Sequence, residues 1–206
     1  MAPDDLRIVA LAPGRTDDYL RFFDDARAAA PATAPAWASC YCHVPHVPPP
    51  LDPASFDAAG NRLAMQARVA CGEMEGYLAV RGARVVGWLN AQPRHRLRFC
   101  DAHVGLAAPP LDVPPHEAAA IVCFALPSQD GADEDACALL DAALTDLAER
   151  GVRVADAWPA VDDDPAAWSR DAFGGRRAWF DRAGFEVVAS SDRRVVMRKR
   201  LAGNGS

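Results

Sequence analysis

Apolar and polar positions along this chain fall into short alternating runs and longer helical stripes, and their order predicts a mixed α/β fold. Leu6 to Leu11 reads as a first strand ended by Pro13-Gly14, and Thr16 ahead of an acidic turn reads as the N-cap of a helix through Ala30. Residues 31 to 55 are dense in proline and read as an extended loop, after which a second helix is expected from Ala58 to Ala70. Tyr77 to Val80 and Val85 to Asn90 are predicted strands of a hairpin through Arg81-Gly82-Ala83. Ala107 to Pro115, with four prolines, is an expected loop ahead of the apolar strand Ile121 to Leu126. Leu140, Leu144 and Leu147 recur at helical spacing, so Glu134 to Arg150 reads as a helix closed by Gly151. Val152 to Trp158 is the next strand, Asp162 to Ser169 a polar loop, and Phe173 to Ala183 a helix closed by Gly184. Strands Phe185 to Ala189 and Val195 to Arg198 complete one expected domain over residues 1 to 201, with a disordered tail at 202 to 206.

Composition narrows the function classes. Half of the 206 residues are hydrophobic, ample for one core, and the longest uninterrupted apolar run, Ala118 to Leu126, is far shorter than the roughly 20 residues a bilayer needs. No membrane partner is therefore expected. The segment Met1-Ala2-Pro3-Asp4-Asp5 lacks the basic and apolar regions of a secretion signal, which makes the cytoplasm the expected compartment. Six irregularly spaced cysteines read as reduced thiols rather than a disulfide framework. A net charge of −6 argues against a nucleic-acid partner, and Arg94, Arg96 and Arg98 read as a solvated edge.

Several segments carry a resemblance in their order. They are Pro35-Ala36-Trp37-Ala38-Ser39-Cys40-Tyr41-Cys42, Asn61 to Met65, Gly76 to Val80, Val85 to Arg94, Gln129-Asp130-Gly131-Ala132-Asp133-Glu134, Phe173-Gly174-Gly175 and Phe180 to Phe185. Together they span roughly residues 6 to 201 and resemble the GNAT superfamily of N-acetyltransferases, in a subgroup with a Cys-x-Cys segment near the N-terminus. The resemblance implies a mixed, mostly antiparallel sheet flanked by helices and splayed near Phe124 to Leu126. It also implies acetyl-CoA as cofactor and a small amine as acceptor, in a monomer or homodimer. The family's phosphate loop has Gln or Arg, two residues, Gly, one residue, then Gly or Ala. Gln129 fits its first position, whereas Ala132 and Glu134 stand where glycines normally let backbone amides close around a pyrophosphate.

By the same resemblance, Phe124, Ala125, Leu126, Gln129, Gly131, Ala132, Asp133 and Glu134 are the expected cofactor contacts, with backbone N–H groups near Ala125 and Leu126 as the oxyanion donors. The leaving-group acid, often a tyrosine on the last helix, falls at Phe180, which has no proton to give. His116, Glu117 and Asp156 are the candidate bases. Trp37, Tyr41, His43, Asn90, Gln92 and Arg94 are the candidate acceptor contacts, Trp37 and Tyr41 having packing as an equal alternative. Cys40, Cys42, His43 and His46 have metal-ligand chemistry, but all four lie in one short stretch and no metal is expected. Three classes stay open: an acyl-CoA-dependent N-acetyltransferase, a non-catalytic binding protein of the same fold, and an enzyme with altered chemistry.

Overall fold

The computed structural model describes residues 5–29, 34–97, 99, 101, 105–127, 131–161 and 174–202. Its sheet has seven strands: β1 (Leu6–Ala10), β2 (Tyr77–Arg81), β3 (Arg84–Pro93), β4 (Ala118–Ala125), β5 (Val154–Ala157), β6 (Glu186–Ser190) and β7 (Val195–Arg200), in the order β1-β2-β3-β4-β5-β7-β6. Every neighbouring pair is antiparallel except β4 and β5. The helices are α1 (Thr16–Ala29), α2 (Ala36–Cys40), α3 (Ala58–Ala70), α4 (Ala132–Glu149) and α5 (Arg177–Arg182). One face of the sheet buries Tyr19, Phe23, Trp37 and Met65 from α1, α2 and α3. The other buries Leu139, Leu140, Leu144, Trp179 and Phe180 from α4 and α5. β4 lies at the centre with all eight residues buried, which is why its sequence is an unbroken apolar run instead of an alternating one.

β4 and β5 part company halfway along. Their pairing runs from Ala118↔Val154 to Ile121↔Ala157 and stops. Beyond that point β4 stays with β3 as far as Ala125↔Trp88, while the chain after β5 stays with β7 through the Ala160↔Arg194 bridge and the bond from Val195 N to Pro159 O at 3.1 Å. The two half-sheets thus open into a V, at the place where the resemblance put a splay. β4 also carries a bulge there: Asn90 opposes Cys123 and Ala91 opposes Ile121, leaving Val122 as the extra residue.

Local boundaries follow identifiable chemistry. Asp57 caps α3 by accepting from Gly60 N at 2.7 Å. Gly151, at φ 87°, ends α4 with bonds from Gly151 N to Ala148 O and from Val152 N to Leu147 O, and Gly184 ends α5 in the same way. Three expectations need correction. Thr16 is not an N-cap: it is the first residue of α1, and its hydroxyl donates to Pro13 O at 2.7 Å. Residues 31 to 55 are not simply extended, because α2 and the 3-10 turns Val44–His46 and Pro53–Ser55 lie within them. The last helix begins at Arg177, since Gly175 at φ 85° cannot be helical. The polar loop Asp162 to Ser169 and the tail beyond Ala202 lie outside the described residues.

Candidate functional site

The mouth of the V is framed by Phe124 and Leu126 on β4 and its extension, Trp158 after β5, and the turn before α5. Glycine is required in that turn. A side chain at Gly175 would come within 2.8 Å of the Phe124 ring, and one at Gly174 would run into the carbonyl oxygen of Trp158. The chain therefore crosses the mouth in contact with both half-sheets. Phe124 packs at 5.1 Å from Trp179 and 6.0 Å from Phe180, which also meets Phe185 at 5.2 Å. Phe180, where the leaving-group acid was sought, is fully buried among aromatic rings.

Beside the mouth stands the N-terminus of α4, whose free amides and dipole favour an anion. Gly131, at φ 85°, turns the chain into the helix. Here the protein supplies its own anions. A side chain at Gly131 would meet the Glu134 carboxylate at 3.9 Å, so that carboxylate stands beside the helix start. Asp133 does not point into the mouth freely: Arg176 Nη1 donates to its two oxygens at 2.9 and 2.7 Å and Trp179 Nε1 at 3.1 Å. Asp135 is buried against Arg81. Ala132 begins the helix, and Gln129 lies outside the described residues.

The structure separates the candidate bases from the mouth. His116 and Glu117 form a 3-10 turn at the opposite end of β4, and a strand rise of about 3.3 Å per residue puts Glu117 about 25 to 30 Å from Leu126. His116 is exposed, and Glu117 pairs with Arg153 at 3.1 Å. Neither reaches a reacting group at the V. Asp156 is fully buried, and both its oxygens are taken: Arg94 Nη1 donates at 2.6 Å, Arg198 Nε at 2.7 Å and Arg198 Nη2 at 3.0 Å. The bond to Asp156 holds Arg198 above its ordinary pKa. This carboxylate is the centre of an ion cluster that also takes in Asp101, at 2.7 Å from Arg94, and ties the segment after β3 to β5 and β7.

The candidate acceptor contacts are drawn together but face inward. Trp37 stacks on Phe22 at 5.3 Å and 7°. Tyr41 accepts from the Tyr19 hydroxyl through its carbonyl at 2.6 Å and donates its own hydroxyl to Asp24 at 2.5 Å, so its packing role is the one observed. Asn90 and Gln92 are buried, with Gln92 Nε2 donating to Asn90 Oδ1 at 2.7 Å and Asn90 Nδ2 donating toward Cys42 Sγ at 3.1 Å. Arg94 lies over the Trp158 ring at 5.3 Å. His43 shares a 2.8 Å hydrogen bond with Asn61, and burial followed by nearby Arg68 charge holds its pKa below the ordinary value. A cavity of about 490 Å³ opens beside these residues, lined by Ser39, Cys40, Asp52, Phe56 and Asn61 among others. Among the described residues no three His, Cys, Asp or Glu side chains converge as a metal site.

Sequence reading did not single out the sulfur cluster as a unit. Tyr41 and Cys42 are successive left-handed residues at φ 48° and 57°, a conformation that costs roughly 1 kcal/mol or more for each non-glycine residue. Burial acts to raise the Cys42 pKa, but the polar groups around its sulfur, among them the Asn90 amide that donates at 3.1 Å, outweigh it and leave the thiol below its ordinary value. Cys123 is pushed well up, first by its bond to Cys42 and then by burial. Cys40 is pushed up to about 11, mainly by burial.

No family model matches this chain, and no curated protein matches it. Solved structures do. An aminoglycoside 6'-acetyltransferase type Ii superposes with a TM-score of 0.56 at 12% identity, covering 97% of this chain and 99% of its own. The PaiA N-acetyltransferase from Thermoplasma acidophilum, in complex with coenzyme A, gives 0.52 at 10% identity with 95% and 99% covered. An N-acetyltransferase from Staphylococcus aureus Mu50 gives 0.51 at 10% identity with 96% and 99% covered. The fold is that of the GNAT acetyltransferases, matched over nearly the whole chain.

Proposed function

We propose that this protein is an acyl-CoA-dependent N-acetyltransferase acting on a small amine. The observation that carries the reading is the V between β4 and β5, which, among the described residues, leaves the β5-side edge of β4 beyond Ile121 without a strand partner beside a helix N-terminus. An extended, amide-bearing arm suits such an edge, because it supplies the hydrogen bonds that β5 withholds. Acetyl-CoA has that arm, and when bound it supplies an acyl group activated as a thioester. Backbone N–H groups at Ala125 and Leu126 would hold the oxygen that becomes negative as the amine adds. Phe180 donates no proton, so the leaving thiolate takes one from water or another group. The residues fit the arm well and the phosphates less well. The Glu134 carboxylate stands beside Gly131 at the helix start, and Asp133 occupies Arg176.

Those two acids, with the aromatic packing of Phe180 and the chain crossing at Gly174-Gly175, favour a second reading: a ligand-binding protein that keeps the fold without the reaction. Calorimetric titration with acetyl-CoA, followed by a thiol-release assay over a panel of primary amines, separates the two. Binding at micromolar concentrations together with amine-dependent release of coenzyme A is the expected result. A folded protein that binds neither acetyl-CoA nor coenzyme A at millimolar concentration sinks the acetyltransferase.

A further inference from the structure

The cavity of about 490 Å³ is lined from α2, the Pro53–Ser55 turn and the start of α3, and its size suits a small organic molecule. None of its lining residues lies on β4, on β5 or in the turn before α5, so it is a site apart from the V. Most of the lining is apolar, but Asn61, 8% exposed, is set into it. A buried amide is costly unless its donors and acceptors are met, and here both ends are. Asn61 Nδ2 donates to Ser39 O at 3.0 Å, and Asn61 Oδ1 accepts from His43 Nδ1 at 2.8 Å. The amide is thus fixed in orientation, tying α3 to α2, and its oxygen keeps a second lone pair.

The charge at this cavity has one sign. Asp52 is the charged residue in its lining, and no lysine, arginine or histidine joins it there. Asp52 Oδ1 accepts from Ala54 N at 2.9 Å, and Ser55 Oγ donates to the Asp52 carbonyl at 2.6 Å, so the carboxylate is held by its own turn. Oδ2 has no hydrogen-bond partner among the described residues. Arg62, which follows Asn61 on α3, does not neutralise it, being committed to Asp24 at 3.0 Å. Phe56, held by an edge contact with His43 at 5.0 Å, adds an aromatic ring, to which cations are drawn. A carboxylate oxygen without a donor, an amide oxygen with a lone pair to spare and an aromatic ring complement a ligand that brings N–H donors and positive charge.

We propose that this cavity binds a small organic cation, a primary ammonium group carried on an apolar body. Asp52 supplies the counter-charge, Asn61 the spare acceptor in the wall, and Phe56 with Pro53 and Ala58 the apolar surface for the body. An anion finds no basic side chain in this lining, and a neutral molecule of the same shape gains nothing from Asp52. Occupancy of the cavity does not depend on the acetyltransferase reading, because it needs neither acetyl-CoA nor the V.

The test uses the full chain, isotope-labelled and free of acetyl-CoA, with binding followed through backbone amide shifts. Phenethylamine, a cation at neutral pH, is titrated beside 2-phenylethanol as its neutral analogue and phenylacetate as an anion. The amine should bind at sub-millimolar concentration with shifts centred on residues 36–61, the alcohol about five- to tenfold more weakly, and the anion more weakly still. Asp52→Asn keeps an acceptor for Ala54 N, and with it the turn, and should bring the amine down to the affinity of the alcohol. Ala54→Trp fills the cavity from an exposed position and should remove binding of both. Equal affinities for amine and alcohol in the unaltered protein, or tightest binding of the anion, would overturn the proposal. So would an amine preference that survives Asp52→Asn, binding that survives Ala54→Trp, shifts centred elsewhere, or no binding of the amine at about 10 mM.

Discussion

His46 sits in the 3-10 turn after α2, 3% exposed, with no partner for Nε2 among the described residues. Burial, then the charge of Arg68 and of His43, pushes its pKa down to about 3, against an ordinary 6.5. The folded state thus keeps this ring neutral where the unfolded chain protonates it. The resulting stability is complete above pH 6.5 and is lost as pH falls from there toward 3, at about 1.4 kcal/mol per pH unit. His46→Leu should flatten that part of the profile, so that urea midpoints at pH 7 and pH 4.5 differ less than in the unaltered protein. Equal losses in both proteins would mean that the turn opens before the ring titrates. Single residues were the hardest scale to read from sequence. Cys123 was readable as a core residue, but nothing in Ile121-Val122-Cys123-Phe124 announces a bulge, so the face it serves was hidden. Asp156 was visible as an acid on a strand, while its two arginine partners come from positions 62 residues before it and 42 after it.

Elements were easier, because their signals are local. α3 begins after the Asp57 cap at the expected residue, and α4 and α5 end at glycines whose left-handed backbone closes the last turn. Proline density misled at α2, where Pro35 precedes the helix without preventing it. The connection after β3 is held by the Arg94–Asp156–Arg198 cluster, and a buried carboxylate between two guanidinium groups leaves both uncompensated if it is neutralised. Asp156→Asn should therefore cost about 3 kcal/mol in a denaturant unfolding curve. If this residue fixes the connection and takes no proton, the pH profile of acetyl transfer in the surviving folded fraction should keep its shape. Loss of the acid-side limb from that profile would restore Asp156 as the base.

At the scale of the molecule, the order of the strands and of every helix but α2 was legible, and the family resemblance implied the splay. The site was less so, since the V is closed by Gly174-Gly175, Arg176 and Trp179, about 50 residues along the chain from β4. What sequence did indicate is the acidic first turn of α4, and the structure gives it a direction: the Glu134 carboxylate stands beside Gly131 and Asp133 is clasped by Arg176. Glu134→Gln should therefore tighten acetyl-CoA binding about five- to tenfold at low ionic strength, with a smaller gain at 0.5 M salt. An unchanged dissociation constant would show that the ligand phosphates bypass this corner.

The four pairs from Ala118↔Val154 to Ile121↔Ala157 are the only strand pairing between the half-sheets among the described residues, so the sheet behaves as a lever with its fulcrum at the closed end. That fulcrum is pinned by Arg153, whose N–H donates to Glu117 O at 2.8 Å, whose carbonyl accepts from Leu201 N at 2.9 Å, and whose side chain meets the Glu117 carboxylate at 3.1 Å. A wedge driven into the mouth therefore loads a joint about 25 Å away. Glu117→Ala, remote from any chemistry, should raise the compliance of the jaws, seen as faster amide exchange along Val154–Ala157 and as a change in how strongly ligand slows that exchange.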